Sequence, residues 1–384
     1  VTEHRSGHGR VSARQLNRAT LDRQLLLRRA TLPVAAAVRH LVGLQAQEPA
    51  SPYLALWNRI DGFEPSDLDA AYASATVIKA TLMRITLHAV HADDYPAFHA
   101  AMAPSLRASR LFDRRFKTSG LSAAELDELE PGLLASSRSP RTGVEITAAL
   151  EAGLGQGAER AWWALRTYAP LRHAPGADPW SFGRRPSFVA APATWPPGSQ
   201  REAVGRLVMR YLHGFGPASV ADVAQFTLLT RGVVREALAA LGAEVVALAG
   251  PAGGDLFDLA GATLPEEATP APPRLLPMWD SVLLAYAHRD RLIPPQHRAL
   301  VIRRNGDVLP TLLVDGFVAG VWRLLDGAIE ATPFEPLSAE AWDGLAAEAA
   351  ALLPLLQGRD PKVYSRHVHW WRTLPSAGNR RLPG

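Results

Sequence analysis

The chain opens on a helical period. In SARQLNRATLDRQLLLRRA (12–30) and PVAAAVRHLVGL (33–44), apolar positions recur every three to four residues. Ser12 is placed to cap the first helix, and Pro33 suits the first turn of the second. Helical patterns follow at SPYLALWNRI and EPSDLDAAYASA, and then VIKATLMRITLHAVH, dense in β-branched residues, predicts paired strands. The order recurs: TGVEITAALEAG and AERAWWALRTYA predict helices, and LRHAPGADPWSFGRRPSFVAA predicts strand, turn and strand. REAVGRLVMRYLHGFG, SVADVAQFT and RGVVREALAALG predict three more helices, and EVVALAGPAGGDLFDLA another strand–turn–strand. Helices followed by a two-stranded ribbon form the winged-helix order, a variant of the DNA-binding helix-turn-helix. AAPATWPPGS and ATLPEEATPAPP read as linkers.

After Arg274 the texture changes. ALVIRRNGDVLPTLLVDGFVAGVWRLL predicts a meander of strands with turns at Asn305-Gly306 and Asp315-Gly316. LSAEAWDGLAAEAAALLPLLQG predicts a helix, and SRHVHWWRTLPSAGNRRLPG a basic, irregular end. The expected fold class is therefore α+β. A flexible tail (1–10) precedes three winged-helix modules in tandem (11–140, with a helical connector; 141–199; 200–265), and a small α+β domain (274–384) closes the chain.

Composition narrows the classes. A chain of 384 residues exceeds one ordinary domain, and 47% hydrophobic with 20% charged residues describes a globular protein. Cysteine is absent, which excludes disulfides, thiolate metal sites and a cysteine nucleophile. VTEHRSGHGR is polar and basic, unlike a signal peptide, and no apolar run approaches the roughly 20 residues of a membrane span. The expected location is the cytoplasm, at the nucleoid. The net charge is only +4, yet lysine occurs only at Lys79, Lys117 and Lys362, so the basic side chains are nearly all arginine. Arginine forks suit phosphate, but the Ala, Arg, Pro and Gly richness also fits a GC-rich coding bias. Arginine excess alone therefore carries little weight for nucleic acid.

The chemistry-bearing stretch is LQAQEPASPYLALW (44–57). Residues two apart diverge on a helix and share a side on an extended segment. Pro49 and Pro52 push the residues before them out of the α region. The chain is thus expected to leave its helix around Gly43–Gln45 and to aim the amides of Gln45 and Gln47 into one space. Two readings stand: a pair of amides holding a water or polar ligand, or a polar helix end in solvent.

LVGLQAQEPASPYLALWNRI, LMRITLHAVHADDY, LLPMWDSVLLAYAHRDR and LLVDGFVAGVWRL resemble the tandem winged-helix family of bacterial DNA glycosylases, from about Arg10 to beyond Trp322. The resemblance implies three winged helices around a concave basic channel and a Gln-x-Gln or Gln-x-Asp catalytic motif, here Gln45 and Gln47. The expected activity is that of a glycosylase acting on double-stranded DNA, monofunctional because only three lysines exist and Lys79 alone lies near the motif. The expected reaction is hydrolysis of N7-alkylated purine nucleosides, including the unhooking of azinomycin-type interstrand crosslinks in repair and self-resistance. A monomer is expected, with no cofactor and no metal. The rival class is a non-enzymatic winged-helix regulator, or a resistance protein that sequesters drug or lesion.

Other constellations stand beside these. Arg84 and His88 share an expected strand face and are candidates for phosphate contact, against an ordinary surface pair. The turn after His173 offers Arg184 and Arg185 to phosphates and Pro175 or Trp180 as wedges, against a solvated loop. His88-x-x-His91 lacks a second ligand cluster at zinc spacing, which favours cleft-lining or structural histidines, and His367-x-His369 with Trp370 and Trp371 reads as packing or phosphate contact against a metal site. Asp280 with Arg289, Asp290 and Arg291 reads as a salt-bridge network joining the third module to the last domain, or as a carboxylate in a basic surround. Arg114 and Arg115 read as a basic helix face. No Gly-x-Ser-x-Gly elbow, Walker motif or dinucleotide glycine motif is present.

Overall fold

Ser12 caps the first helix with a reciprocal pair: its hydroxyl accepts from the Gln15 N–H, and the Gln15 side chain accepts from the Ser12 N–H. The computed structural model describes residues 10–191, 195, 196 and 199–383. The expected tail (1–10) lies outside these except for Arg10, and so does part of the first linker. Helix α1 (Ala13–Arg23) is followed by α2 (Val34–His40), β1 (Leu44–Gln45), α3 (Ser51–Trp57), α4 (Pro65–Ala73), β2 (Val77–Thr81) and β3 (Leu87–His91). Three helices connect onward: α5 (Tyr95–Leu111), α6 (Arg114–Lys117) and α7 (Ala123–Ser136). Then come β4 (Arg141–Thr142), α8 (Gly143–Leu154), α9 (Ala158–Tyr168), β5 (Leu171–Ala174) and β6 (Ser187–Ala190). The next group is α10 (Gln200–Phe215), α11 (Val220–Thr227), α12 (Arg231–Leu241), β7 (Val245–Ala249) and β8 (Asp255–Leu259). The chain closes with β9 (Arg274–Leu276), α13 (Arg298–Val301), β10 (Thr311–Val314), β11 (Phe317–Leu325), β12 (Ala328–Pro333), α14 (Ala339–Arg359) and β13 (Arg380–Leu382).

Helix and sheet are thus mixed as expected. The sheets of the described residues are antiparallel: β1-β3-β2, β4-β6-β5, the pair β7-β8, and β13-β12-β11-β10-β9. Asp315-Gly316 makes a two-residue hairpin turn with both φ positive (46° and 81°), as the mirror-image turns of hairpins require. Two expectations for the last domain need correction. Residues 298–301 are helical, not strand: Pro295 opens a 3-10 turn that runs into α13, since proline suits the first helical positions. The basic end is also not wholly irregular, because Ser365–Thr373 is a 3-10 run and β13 adds an edge strand.

A large core runs through the described residues beside a small separate cluster of Val11, Leu16 and Leu256, and polar ties join distant sequence positions. Asn17 donates to the carbonyls of Arg291 and Gly316 at 2.8 Å each. Arg23 grips Asp258 at 2.6 and 2.7 Å. The deepest tie is Arg59 with Asp280, two parallel bonds of 2.8 Å between side chains 0% and 1% exposed. Arg59 replaces the expected partners of Asp280, Arg289 and Arg291, because the end of α3 is packed directly beneath the Trp279–Leu283 segment.

Breaking a buried pair leaves an uncompensated charge, so Asp280→Ala is expected to cost about 3–5 kcal/mol. The double change Arg59→Met with Asp280→Leu is expected to cost much less. Urea denaturation midpoints of the three proteins check this; equal losses for the single and double variants would show that the charge is not the issue.

Candidate active site

The strand that carries the glutamines begins with a sharp departure from α2. The helix ends at His40, three residues earlier than expected, and Val42 takes a left-handed conformation (φ 71°) that β-branched residues rarely adopt. At Gly43 an added Cβ would lie 2.8 Å from Met83 Cε and 3.2 Å from Val90 Cγ1, so a larger residue would have to displace the Met83 side-chain end and crowd Val90. Leu44 and Gln45 then pair with Ala89 and His88 of β3. On the other side, the Ser281 hydroxyl donates to the Gly43 carbonyl at 3.0 Å and accepts the Gln45 N–H at 3.1 Å. Asp280 accepts the Val282 N–H at 3.1 Å and so sets this turn. The Asp280–Ser281 turn therefore clamps the backbone of Gln45.

Gln45 and Gln47 line one open cleft of about 630 Å³ together with Thr86, Trp279, Asp307 and His367. Their environments differ. Gln47 is exposed. Gln45 is 3% exposed, and its Oε1 accepts from the Arg84 guanidinium. Arginine only donates, so this contact fixes the amide: oxygen toward Arg84, NH2 away from it. Arg84 does not sit on a strand. It lies in the β2–β3 turn, where Arg84 and Ile85 both have positive φ (54° and 59°). Such strain costs on the order of 1–3 kcal/mol per residue and aims the guanidinium back at Gln45. Burial first, then the charge of Arg289, pulls the Arg84 pKa down to about 9, so it stays cationic at neutral pH. His88 is 0% exposed, its ring 6.2 Å from that of Phe226. Burial first, then Arg84, pushes the His88 pKa to about 3. Arg84 and His88 thus stand behind the cleft wall, not on an exposed strand face.

A second cleft, of about 660 Å³, begins on the other side of Gln47 and brings it together with Lys79, His173, Pro175, Arg184 and Arg185. Arg184 and Arg185 are exposed. His173 packs between Phe182 and Phe188, and burial, then Lys79, lowers its pKa to about 3; it is a neutral ring. Lys79 lies 4.3 Å over the Phe182 ring, and burial brings its pKa to about 7. The β5–β6 turn is anchored at its middle, while residues 176–179 and 184–186 are exposed. Trp180 is 5% exposed and donates to Asp360 at 2.9 Å, so it is an anchor and not a wedge. Asp69 gathers Tyr53 (2.5 Å), Ser181 (2.6 Å) and Arg359 (2.7 and 2.6 Å), tying this turn to α4 and α14.

Sequence reasoning missed Ser281, Asp307 and Glu48 as neighbours of the glutamines. Their signals were present: Ser281 falls inside LLPMWDSVLLAY, Asp307 follows the Asn305-Gly306 turn, and Glu48 is adjacent to Gln47. His367, weighed for packing or phosphate contact, lies in the glutamine cleft, with Nδ1 3.2 Å from Asp307 Oδ2.

A family model described as DNA glycosylase AlkZ-like matches residues 38–355. A relative from Streptomyces sahachiroi, described as an interstrand DNA cross-link repair glycosylase, is 25% identical over 353 residues, 85% of this chain and 91% of its own. The solved structure of the Streptomyces sahachiroi DNA glycosylase AlkZ is similar with a TM-score of 0.78 at 23% identity, covering 91% of this chain and 98% of that one. That last likeness is one of fold.

The buried rings generate a pH prediction. Unfolded histidines take up a proton near pH 6.5, whereas His88 and His173 resist it to about 3 and His213 to about 4. Between these values the unfolded chain binds more protons, so stability falls as pH drops from about 6.5 toward 4. Denaturation midpoints at pH 7 and pH 4.5 should show the loss, and His88→Asn should reduce it; an unchanged slope would exclude His88 as a contributor.

Proposed function

Because the chain belongs to the AlkZ-like DNA glycosylase family, we propose that it hydrolyses the N-glycosidic bond of N7-alkylated purines in double-stranded DNA, crosslinked purines included. The carrying observation is the pair of amides in one open cleft, Gln45 held by Arg84 and Gln47 exposed. Alkylation at N7 makes guanine cationic, so the base departs as a neutral group. The sugar C1′ then develops oxocarbenium character and needs a water in place. The exposed carbonyl of Gln47 orients that water and offers electron density to the cationic sugar, while Gln45 presents its fixed NH2. An intact purine needs stronger acid and base assistance, so neutral amides suit a base that is already destabilised.

The substrate's shape agrees with the openness of the site. N7 lies in the major groove, and a guanine tethered there to the opposite strand cannot swing into a sealed pocket. We read residues 11–140, 141–199 and 200–265 as winged-helix modules, each with helices and an antiparallel hairpin, around a basic channel; 274–384 is the closing domain. Arg184 and Arg185 hold phosphates beside the cleft, and Pro175 lies at its edge. The protein acts as a monomer on chromosomal DNA in the cytoplasm, in repair and self-resistance. No helix of the described residues is long and apolar enough to cross a membrane.

Gln47→Ala is expected to lose about 100- to 1,000-fold in release of 7-methylguanine from methylated duplex DNA, with affinity for DNA retained within a few-fold. Gln45→Ala should also be impaired, and Gln47→Asp should keep activity. Both alanine variants excising at the wild-type rate would overturn the assignment. The product should be an intact abasic site. Borohydride trapping of a protein–DNA adduct at Lys79 would show lyase chemistry through a Schiff base instead.

A further inference from the structure

Hydrolysis at C1′ leaves one proton unassigned, and its assignment rests on the glycosylase reading. When the C1′–N9 bond breaks, its electron pair goes to N9 and cancels the charge of the alkylated imidazole ring. Water forms a bond to C1′ and must lose a proton. The amides of Gln45 and Gln47 orient water but do not accept protons at neutral pH. The chain supplies a carboxylate one residue further on, where the strand turns toward α3.

We infer that Glu48 is a further catalytic residue: its carboxylate takes the proton of the attacking water, and His367 is the next acceptor. Glu48 lines the second cleft with Gln47 and the Lys79–Arg184 wall, and meets the glutamine cleft at His367. Its side chain is 13% exposed, shielded but reachable. Oε1 faces His367 Nε2 at 3.3 Å and the Arg366 guanidinium; among the described residues, Oε2 has no hydrogen-bond partner and is available to a water.

The state of His367 is set by its neighbours. Arg366 Nε donates to His367 Nε2 at 3.0 Å, so that nitrogen carries no proton. The ring proton is on Nδ1, which faces Asp307 Oδ2 at 3.2 Å. Asp307 is itself held by the Trp370 indole N–H at 2.8 Å, and the His367 ring stands edge-on to Trp279 at 5.5 Å. In this tautomer the single Nε2 lone pair is held by Arg366, so His367 takes the proton of Glu48 as that contact is released. Asp307 stabilises the imidazolium, while burial keeps the His367 pKa below the ordinary histidine value and favours passing the proton on. The proton thus passes from water to Glu48 to His367 and on to solvent. The net balance is a cationic nucleoside plus water giving neutral base, sugar hydroxyl and one proton.

Glu48→Gln keeps the size of the side chain and a partner for His367 but cannot take the proton. In single-turnover release of 7-methylguanine at saturating enzyme, it is expected to be about 100-fold slower, with DNA affinity within about two-fold of wild type. Glu48→Ala should regain part of its rate in sodium formate and none in matched sodium chloride, a rescue that repair of a structural contact cannot give. His367→Asn, acting through Glu48, should lose about ten-fold. Glu48→Gln releasing base at the wild-type rate would overturn the inference while leaving the glycosylase reading intact. So would loss of rate and DNA affinity in parallel without formate rescue. Wild-type protein that releases no base would overturn the reading itself, and the inference with it.

Discussion

The buried pair of Arg59 and Asp280 is the constraint on which the rest of the site depends. Two opposite charges out of water are worth little net stability against an apolar substitute, but they tolerate almost no displacement. Asp280 starts the turn that presents Ser281, and the Ser281 hydroxyl engages both a carbonyl and an N–H of Gly43–Gln45. The position of an active strand only two residues long is therefore decided from outside its own sheet. A two-residue strand cannot hold a fixed position by its ladder alone, and Ser281 supplies what the ladder lacks.

Around that strand, the protein arranges charge in depth. Arg84 is cationic, partly buried and directed at a neutral amide, with no carboxylate partner among the described residues. His88 and His173 are neutral rings in apolar surroundings. The exposed guanidinium groups of Arg184 and Arg185 lie at the outer cleft, where a phosphate can reach them without either partner being buried. Exposed cations are thus separated from the buried groups that fix the geometry around Gln45.

Much of this was legible in the sequence, and the misses share a cause. The alternation of helical and two-fold periods gave the helices and hairpins almost in place, because each depends on local propensity and caps such as Ser12. Pro49 and Pro52 gave the end of the helical course before the glutamines. What local pattern could not carry was depth. His88 reads as a strand-face residue and is packed against Phe226; Trp180 reads as a loop aromatic and anchors on Asp360. Asp280 has charged neighbours in sequence, yet its partner is 221 residues away. Burial and long-range pairing are tertiary facts, and a single sequence records them only as unexplained polar residues in apolar runs.

The Glu48–His367 contact spans 319 residues. The glutamines are made early in synthesis, but Ser281, which fixes their strand, follows 236 residues after Gln45, and one wall of their cleft is made by Ser365–Thr373. At about 5–20 residues per second, the interval between the glutamines and Ser365–Thr373 is on the order of half a minute. During that time a nascent chain bears its glutamines with the cleft still missing a side. A partial translation product therefore differs from the finished protein in more than length: it has the motif without the enclosure.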